Sequence, residues 1–80
     1  MISCEIHDYV EIACMYKLSI TVTFKTGEKL SGIASDTGYD ANRAECIKLI
    51  VDNETRLLPL VDLESMTANQ ANPHFDVVKF

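Results

Sequence analysis

The sequence is poor in residues that break regular structure and poor in basic residues. Its 80 residues include no tryptophan, two prolines and three glycines, so most of the chain can form helices or strands. It has no long apolar run, and we expect no membrane-spanning segment. Seven basic residues against twelve carboxylates give a formal net charge of −5. The basic residues are scattered, which disfavours direct binding of a phosphate backbone.

The cysteines and histidines favour no catalytic or metal-binding chemistry. Cys4, Cys14 and Cys46 are an odd number of thiols in apolar settings. With no signal peptide in the sequence, they predict free thiols in a reduced, cytoplasmic protein. There is no Cys-x-x-Cys pair of the kind typical of zinc sites, so no metal or cofactor is expected. Cys14 and His74 lack the orienting motif of a nucleophile and its base, and we expect no enzyme.

The chain begins with an acidic segment that has helical periodicity. Residues 8–17 are predicted to be helical, because Asp8 followed by Glu11 matches a capping box. Ile6, Val10, Ala13 and Lys17 follow helical spacing, and the first three are expected to dock on the domain. At about 100° per residue, the opposite face carries Asp8, Glu11, Ile12 and Met15. Such a face suits a basic partner, because opposite fields steer association, although Asp8 and Glu11 could also serve only as helix caps.

Alternation of apolar and polar residues predicts strands in the rest of the chain. Five are expected, at residues 18–24, 29–35, 45–51, 55–60 and 74–80. Gly27 is expected in a hairpin turn, and Gly32 at a bulge or sharp bend. Loops are expected at 36–44 and 67–73, while residues 61–64 form either a tight helical turn or more strand that continues to Met66. These elements predict one domain over residues 1–80, mainly β with one N-terminal helix, whose residues 18–80 form a small Sm-like or SH3-like antiparallel barrel.

The order of motifs resembles the Rof family of bacterial Rho-binding antiterminators. That family's pattern begins Cys-Asp-Asp-Tyr-Asp-Asn-Leu-Glu-Leu-Ala-Cys, and the identical positions here are Cys4, Asp8, Glu11, Ala13 and Cys14. Its Lys-Asp-Gly-Glu-Lys-Leu turn is similar to residues 25–30, and its Ala-Ser-Asp and Glu-Thr-Arg motifs recur at 34–36 and 54–56. The departures are Ile6 for an aspartate, His7 for a tyrosine and Tyr9 for an asparagine. The resemblance covers about residues 2–66.

The resemblance implies an Sm-like barrel that binds Rho, the hexameric RNA-dependent ATPase that terminates transcription. It implies inhibition by obstruction of Rho's primary RNA-binding site, by a protein that is monomeric when free. The residues expected to contact this partner are Glu5, His7, Asp8, Tyr9, Glu11, Ile12, Met15, Asn42 and Arg43. Tyr9 is equally compatible with core packing, and His7, Asn42 and Arg43 with an ordinary surface. The alternative function is an Sm-like RNA-binding module, with Tyr39, Arg43, Lys48 and Arg56 as the candidate contacts.

Overall fold

A computed structural model describes residues 4–80 and is mainly β with one N-terminal helix. The elements are α1 (Cys4–Met15), β1 (Ser19–Phe24), β2 (Lys29–Tyr39), β3 (Glu45–Val51), β4 (Glu54–Pro59), a 3-10 helix (Leu60–Asp62), β5 (Leu63–Ala68) and β6 (Val77–Lys79). The strands form one antiparallel sheet in the order β4-β3-β2-β1-β5-β6. The predicted fold class is confirmed. There are six strands rather than five, because the 3-10 helix separates β4 from β5.

One hydrophobic core is shared by all the strands. It includes one or more buried side chains from each, among them Val22, Ala34, Leu49, Leu58, Met66 and Val78. Because the edge strands β4 and β6 reach the same core as the central strands, the sheet must be strongly curved. The pairing among residues 4–80 does not join β4 to β6. Closure of the barrel therefore remains a prediction, with which the curvature is compatible.

Helix α1 begins at Cys4, one turn before its predicted start. The capping box at Asp8 is wrong, since Asp8 lies within the helix. The preceding turn is helical because Ile6 packs against the core and Glu5 lies in the first turn, where a carboxylate interacts favourably with the helix dipole. The helix ends at Met15, and Lys17 follows with a φ of 51°. No helix within residues 4–80 is long and apolar enough to cross a membrane.

Strand β2 extends through part of the predicted loop at 36–44, as far as Tyr39. Its register with β3 shifts between Ala34 and Asp36, and pairing then continues to Tyr39 opposite Glu45. This bulge interrupts the alternation of exposed and buried residues, so the polar sequence conceals a strand. Gly32 itself keeps regular register with β1. Glycine is needed here because β3 passes close to its α-carbon, and a Cβ at this position would lie 2.5 Å from the Ile50 carbonyl oxygen.

Strand β6 is shorter than the predicted last strand, and β5 extends beyond Met66 into the predicted loop. Pairing with β1 carries β5 through Thr67 and Ala68, which were expected in the loop at 67–73. The side chain of Asn72 then holds the segment before β6 in a turn. Its Oδ1 accepts hydrogen bonds from the backbone N–H of His74 at 2.9 Å and of Phe75 at 3.1 Å. These bonds delay the last strand until Val77.

Candidate protein-binding surface on helix α1

One side of α1 is fixed in the core. Val10, Ala13 and Cys14 are buried, and Ile6 and Tyr9 pack against the same cluster. The inward positions predicted from the helical spacing are therefore confirmed up to Ala13. Lys17, which continues the helical spacing in the sequence, is exposed, because the helix has already ended at Met15. A helix held in this way presents its opposite side in a defined orientation.

The opposite side of α1 is acidic and partly apolar. Asp8 and Glu11 are exposed, Met15 is 70% exposed, and Ile12 is half-buried. Neither carboxylate has a hydrogen bond or ion pair with another residue of the described range 4–80. We call Asp8, Glu11, Ile12 and Met15 the acidic face. Within residues 4–80 its two carboxylates have no internal partner, and the face combines them with apolar area.

His7 joins α1 to the start of β3. Its Nε2 atom lies 2.6 Å from Oε2 of Glu45, and both side chains are partly exposed. The pair lies beside a cleft of about 120 Å³ lined by residues of α1, β2 and β3, including Glu11 and Tyr39. His7 therefore makes a polar contact between α1 and β3. The sequence did not point to Glu45, because a carboxylate at the start of a strand does not indicate which residue of the helix it will contact.

The hairpin between β2 and β3 lies beside the same end of α1. The carboxylate of Asp40 shapes it, because Oδ1 accepts hydrogen bonds from the backbone N–H of Asn42 at 2.8 Å and of Ala44 at 2.9 Å. Arg43 has a φ of 63°, and its N–H donates to the Asp40 carbonyl oxygen at 2.9 Å. Asn42 and Arg43 are both exposed. Because Glu45 begins β3 two residues after Arg43 and contacts His7, this hairpin lies near the part of α1 that carries His7.

Four of the nine predicted contact residues line two clefts on different sides of α1. Glu5 and Tyr9 lie on the side of α1 that faces β6, where they line a groove with Phe75. The ring of Tyr9 packs edge-on against Phe75, with centroids 5.9 Å apart and an interplanar angle of 72°. Tyr9 therefore performs core packing, which was one of the two interpretations left open. His7 and Glu11 lie on the other side, toward β2 and β3.

The buried thiols have raised pKa values. Burial, with a smaller contribution from the Asp36 carboxylate, raises the pKa of the Cys14 thiol from 9.0 to about 11. Burial also raises the pKa of Cys46. Both thiols are neutral at physiological pH, which is unsuitable for a nucleophile. His74, which was considered together with Cys14 as a possible catalytic pair, has its ring stacked on Tyr16, with the ring centroids 4.8 Å apart.

Among residues 4–80, the side chains are not arranged as a metal site or as an RNA-binding surface either. Within residues 4–80, no group of three or more histidine, cysteine, aspartate and glutamate residues is arranged to hold a metal ion. The candidate RNA contacts are also dispersed. Lys48 pairs with Leu57, whereas Arg56 pairs with the buried Leu49, so Lys48 and Arg56 belong to opposite faces of the sheet. Tyr39 is exposed but pairs with Glu45, a carboxylate that would repel phosphate.

Comparisons with known proteins agree with this architecture. A family described as "Modulator of Rho-dependent transcription termination (ROF)" matches residues 1–80. Protein rof of Escherichia coli (strain K12) and protein rof of Shigella flexneri are each 37% identical over 66 residues, covering 82% of this chain and 77% of the relative. The solved structure of YaeO from Vibrio cholerae O395, bound to magnesium, has a TM-score of 0.87 and 42% sequence identity. That match covers 91% of this chain and 95% of the Vibrio chain.

Proposed function

Because this chain belongs to the Rof family of modulators of Rho-dependent transcription termination, we propose that it binds Rho and inhibits termination without catalysing a reaction. The proposed contact is the acidic face, bordered by His7 and by the hairpin with Asn42 and Arg43. The supporting observation is that Asp8 and Glu11 are exposed and have no hydrogen-bonding or ionic partner within residues 4–80. They stand on a helix whose other side is buried in the core.

The proposed mechanism is occupation of Rho's primary RNA-binding site by carboxylates. Arginine and lysine side chains that bind phosphate also form charge-assisted hydrogen bonds with carboxylates. Asp8 and Glu11 are separated by about 4.5 Å along the helix axis, and the packed helix holds that spacing before binding. Ile12 and Met15 add apolar area to the same contact, as in the centre of protein interfaces. A bound protein would then exclude RNA from the site, and the place of action would be the cytoplasm.

Charge reversal on the acidic face tests the proposal. The Asp8→Lys, Glu11→Lys double variant is compared with Glu28→Lys, Glu54→Lys, which alters two exposed carboxylates in other parts of the domain. Each substitution adds two charge units, so both variants change from −5 to −1. The acidic-face variant is expected to bind purified Rho at least about tenfold more weakly, equivalent to about 1.4 kcal/mol. The control variant should lose less affinity for Rho, because it changes only the overall electrostatic field of the protein.

Circular dichroism of both variants establishes that they are folded. A folded acidic-face variant with the affinity of the unaltered protein would contradict the proposal, as would equal losses in the two variants. Binding should also compete with oligocytidine RNA on Rho and weaken as salt rises, because exposed charges are screened. Gel-shift experiments with RNA and no Rho present examine the alternative of direct RNA binding. The separation of Lys48 from Arg56 on opposite sheet faces argues against that alternative.

A further inference from the structure

Strand β6 ends the sheet with part of its backbone directed outward. Asp76 accepts a hydrogen bond through its carbonyl oxygen from the N–H of Ala68 at 2.8 Å. Continuing this register, Val78 directs its backbone groups toward β5, and Val77 and Lys79 direct theirs away from it. No other element within residues 4–80 forms a backbone hydrogen bond with Val77 or Lys79. This edge can therefore accept another strand.

A groove runs beside this edge, between the first half of α1 and β6. Its volume is about 480 Å³, and its apolar wall contains the edge-on pair of Tyr9 and Phe75. The charged side chains that line it are Glu5, Asp76 and Lys79, so carboxylates outnumber ammonium groups. His74 adds an imidazole at the same wall. The groove thus combines aromatic surface with a small excess of negative charge, within a protein whose net charge is −5.

We propose that β6 and this groove bind an extended segment of a partner protein that alternates basic and apolar residues. The segment adds along Val77–Lys79 as a further antiparallel or parallel strand, and its main chain uses the backbone groups that β5 leaves free. The apolar side chains of the segment can contact the Tyr9–Phe75 wall, and its basic side chains can contact the carboxylates of Glu5 and Asp76. The groove lies on the other side of α1 from the His7 cleft. The proposal therefore does not depend on Rho binding.

A peptide titration followed by NMR tests this site. The probe is an acetylated, amidated Lys-Val-Lys-Val-Lys-Val peptide added to the 15N-labelled full chain. Saturable shifts are expected at the amides of Val77 and Lys79, with slower exchange of both with solvent. Methylation of alternate peptide nitrogens in the register that pairs with β6 should weaken binding about two- to twelvefold for each hydrogen bond removed, as expected for a typical hydrogen bond.

Two variants of the chain separate backbone pairing from simple apolar contact. Val77→Pro removes an N–H that the β5 ladder does not use, and Val77→Thr keeps that N–H while changing the side chain. Binding should be lost in the proline variant and retained in the threonine variant. The N-methylated peptides keep the test valid even where the proline variant does not fold. Absence of saturable binding, equal binding of the methylated peptides, or equal binding of a Glu-Val-Glu-Val-Glu-Val peptide would each overturn the proposal.

Discussion

Replacement of Gly32 by alanine is expected to destabilise the domain, even though alanine is normally tolerated in a strand. Gly32 pairs with Ile20 of β1 in regular register, while β3 passes close to its α-carbon. A Cβ at this position would lie 2.5 Å from the carbonyl oxygen of Ile50, 2.9 Å from Cγ of Leu49 and 2.9 Å from Cγ2 of Val51. The nearest of these is a backbone atom of a strand paired on both sides, so it cannot rotate away.

The expected cost follows from two opposing contributions. Overpacking of a well-packed interior costs about 1–3 kcal/mol, and the fixed backbone atom places Gly32→Ala at the upper end. The lower conformational entropy of the unfolded alanine chain offsets up to about 1 kcal/mol. The net loss in free energy of unfolding is therefore about 2 kcal/mol. For a domain of this size, that lowers the melting temperature by roughly 8–16 °C.

Gly38→Ala provides a matched control in the same strand. A Cβ at Gly38 would be 3.1 Å from Cε of Lys48, the flexible end of a partly exposed side chain that can move. This variant should stay within about 0.5 kcal/mol of the unaltered protein. The measurement is urea unfolding followed by far-ultraviolet circular dichroism. A Gly32→Ala variant as stable as Gly38→Ala would refute the reasoning from close approach.

Two further predictions concern thiol reactivity and helix docking. Alkylation by iodoacetamide at pH 8, measured by mass spectrometry, should modify exposed Cys4 and spare Cys14 and Cys46. The reason is that burial raises the pKa of both buried thiols. Equal labelling of all three cysteines would contradict this prediction. Ala13→Leu, at a position with no exposed area, should reduce the free energy of unfolding by about 1–3 kcal/mol and weaken Rho binding, because the larger side chain displaces α1. The control Ile12→Leu, on the half-buried outer side, should change stability by less than about 0.5 kcal/mol in a denaturant titration.

Local patterns predicted the elements whose structure depends on local contacts. Strand β1 could be predicted because Ile20 and Val22 alternate with polar residues, and both are fully buried. The inward side of α1 was predictable for the same reason, since Val10 and Ala13 follow helical spacing. The end of β2 could not be predicted, because the bulge near Ser35 breaks the alternation of apolar and polar residues. Only pairing with β3 makes that segment a strand.

The candidate surface could be predicted only in outline. Periodicity indicates that Asp8 and Glu11 face away from the core, and they do. It cannot indicate which strand passes each side of the helix. Long-range packing decides where β3 and β6 lie. Their positions in turn determine that His7 contacts Glu45 and that Glu5 lies on a different side of the helix from His7.

The two neighbours of β1 differ greatly in their distance along the chain. A tight turn in which the N–H of Gly27 donates to the carbonyl oxygen of Phe24 connects β1 to β2, whereas on its other side β1 pairs with β5 from Ile20 to Ala68. A side-chain hydrogen bond at this second junction, from Thr21 to Asn69, spans 48 positions. Loop closure costs about 0.6 kcal/mol more for each doubling of length. Joining β1 to β5 therefore costs more loop-closure entropy than joining β1 to β2, and we expect the β1–β5 pairing to form later in folding.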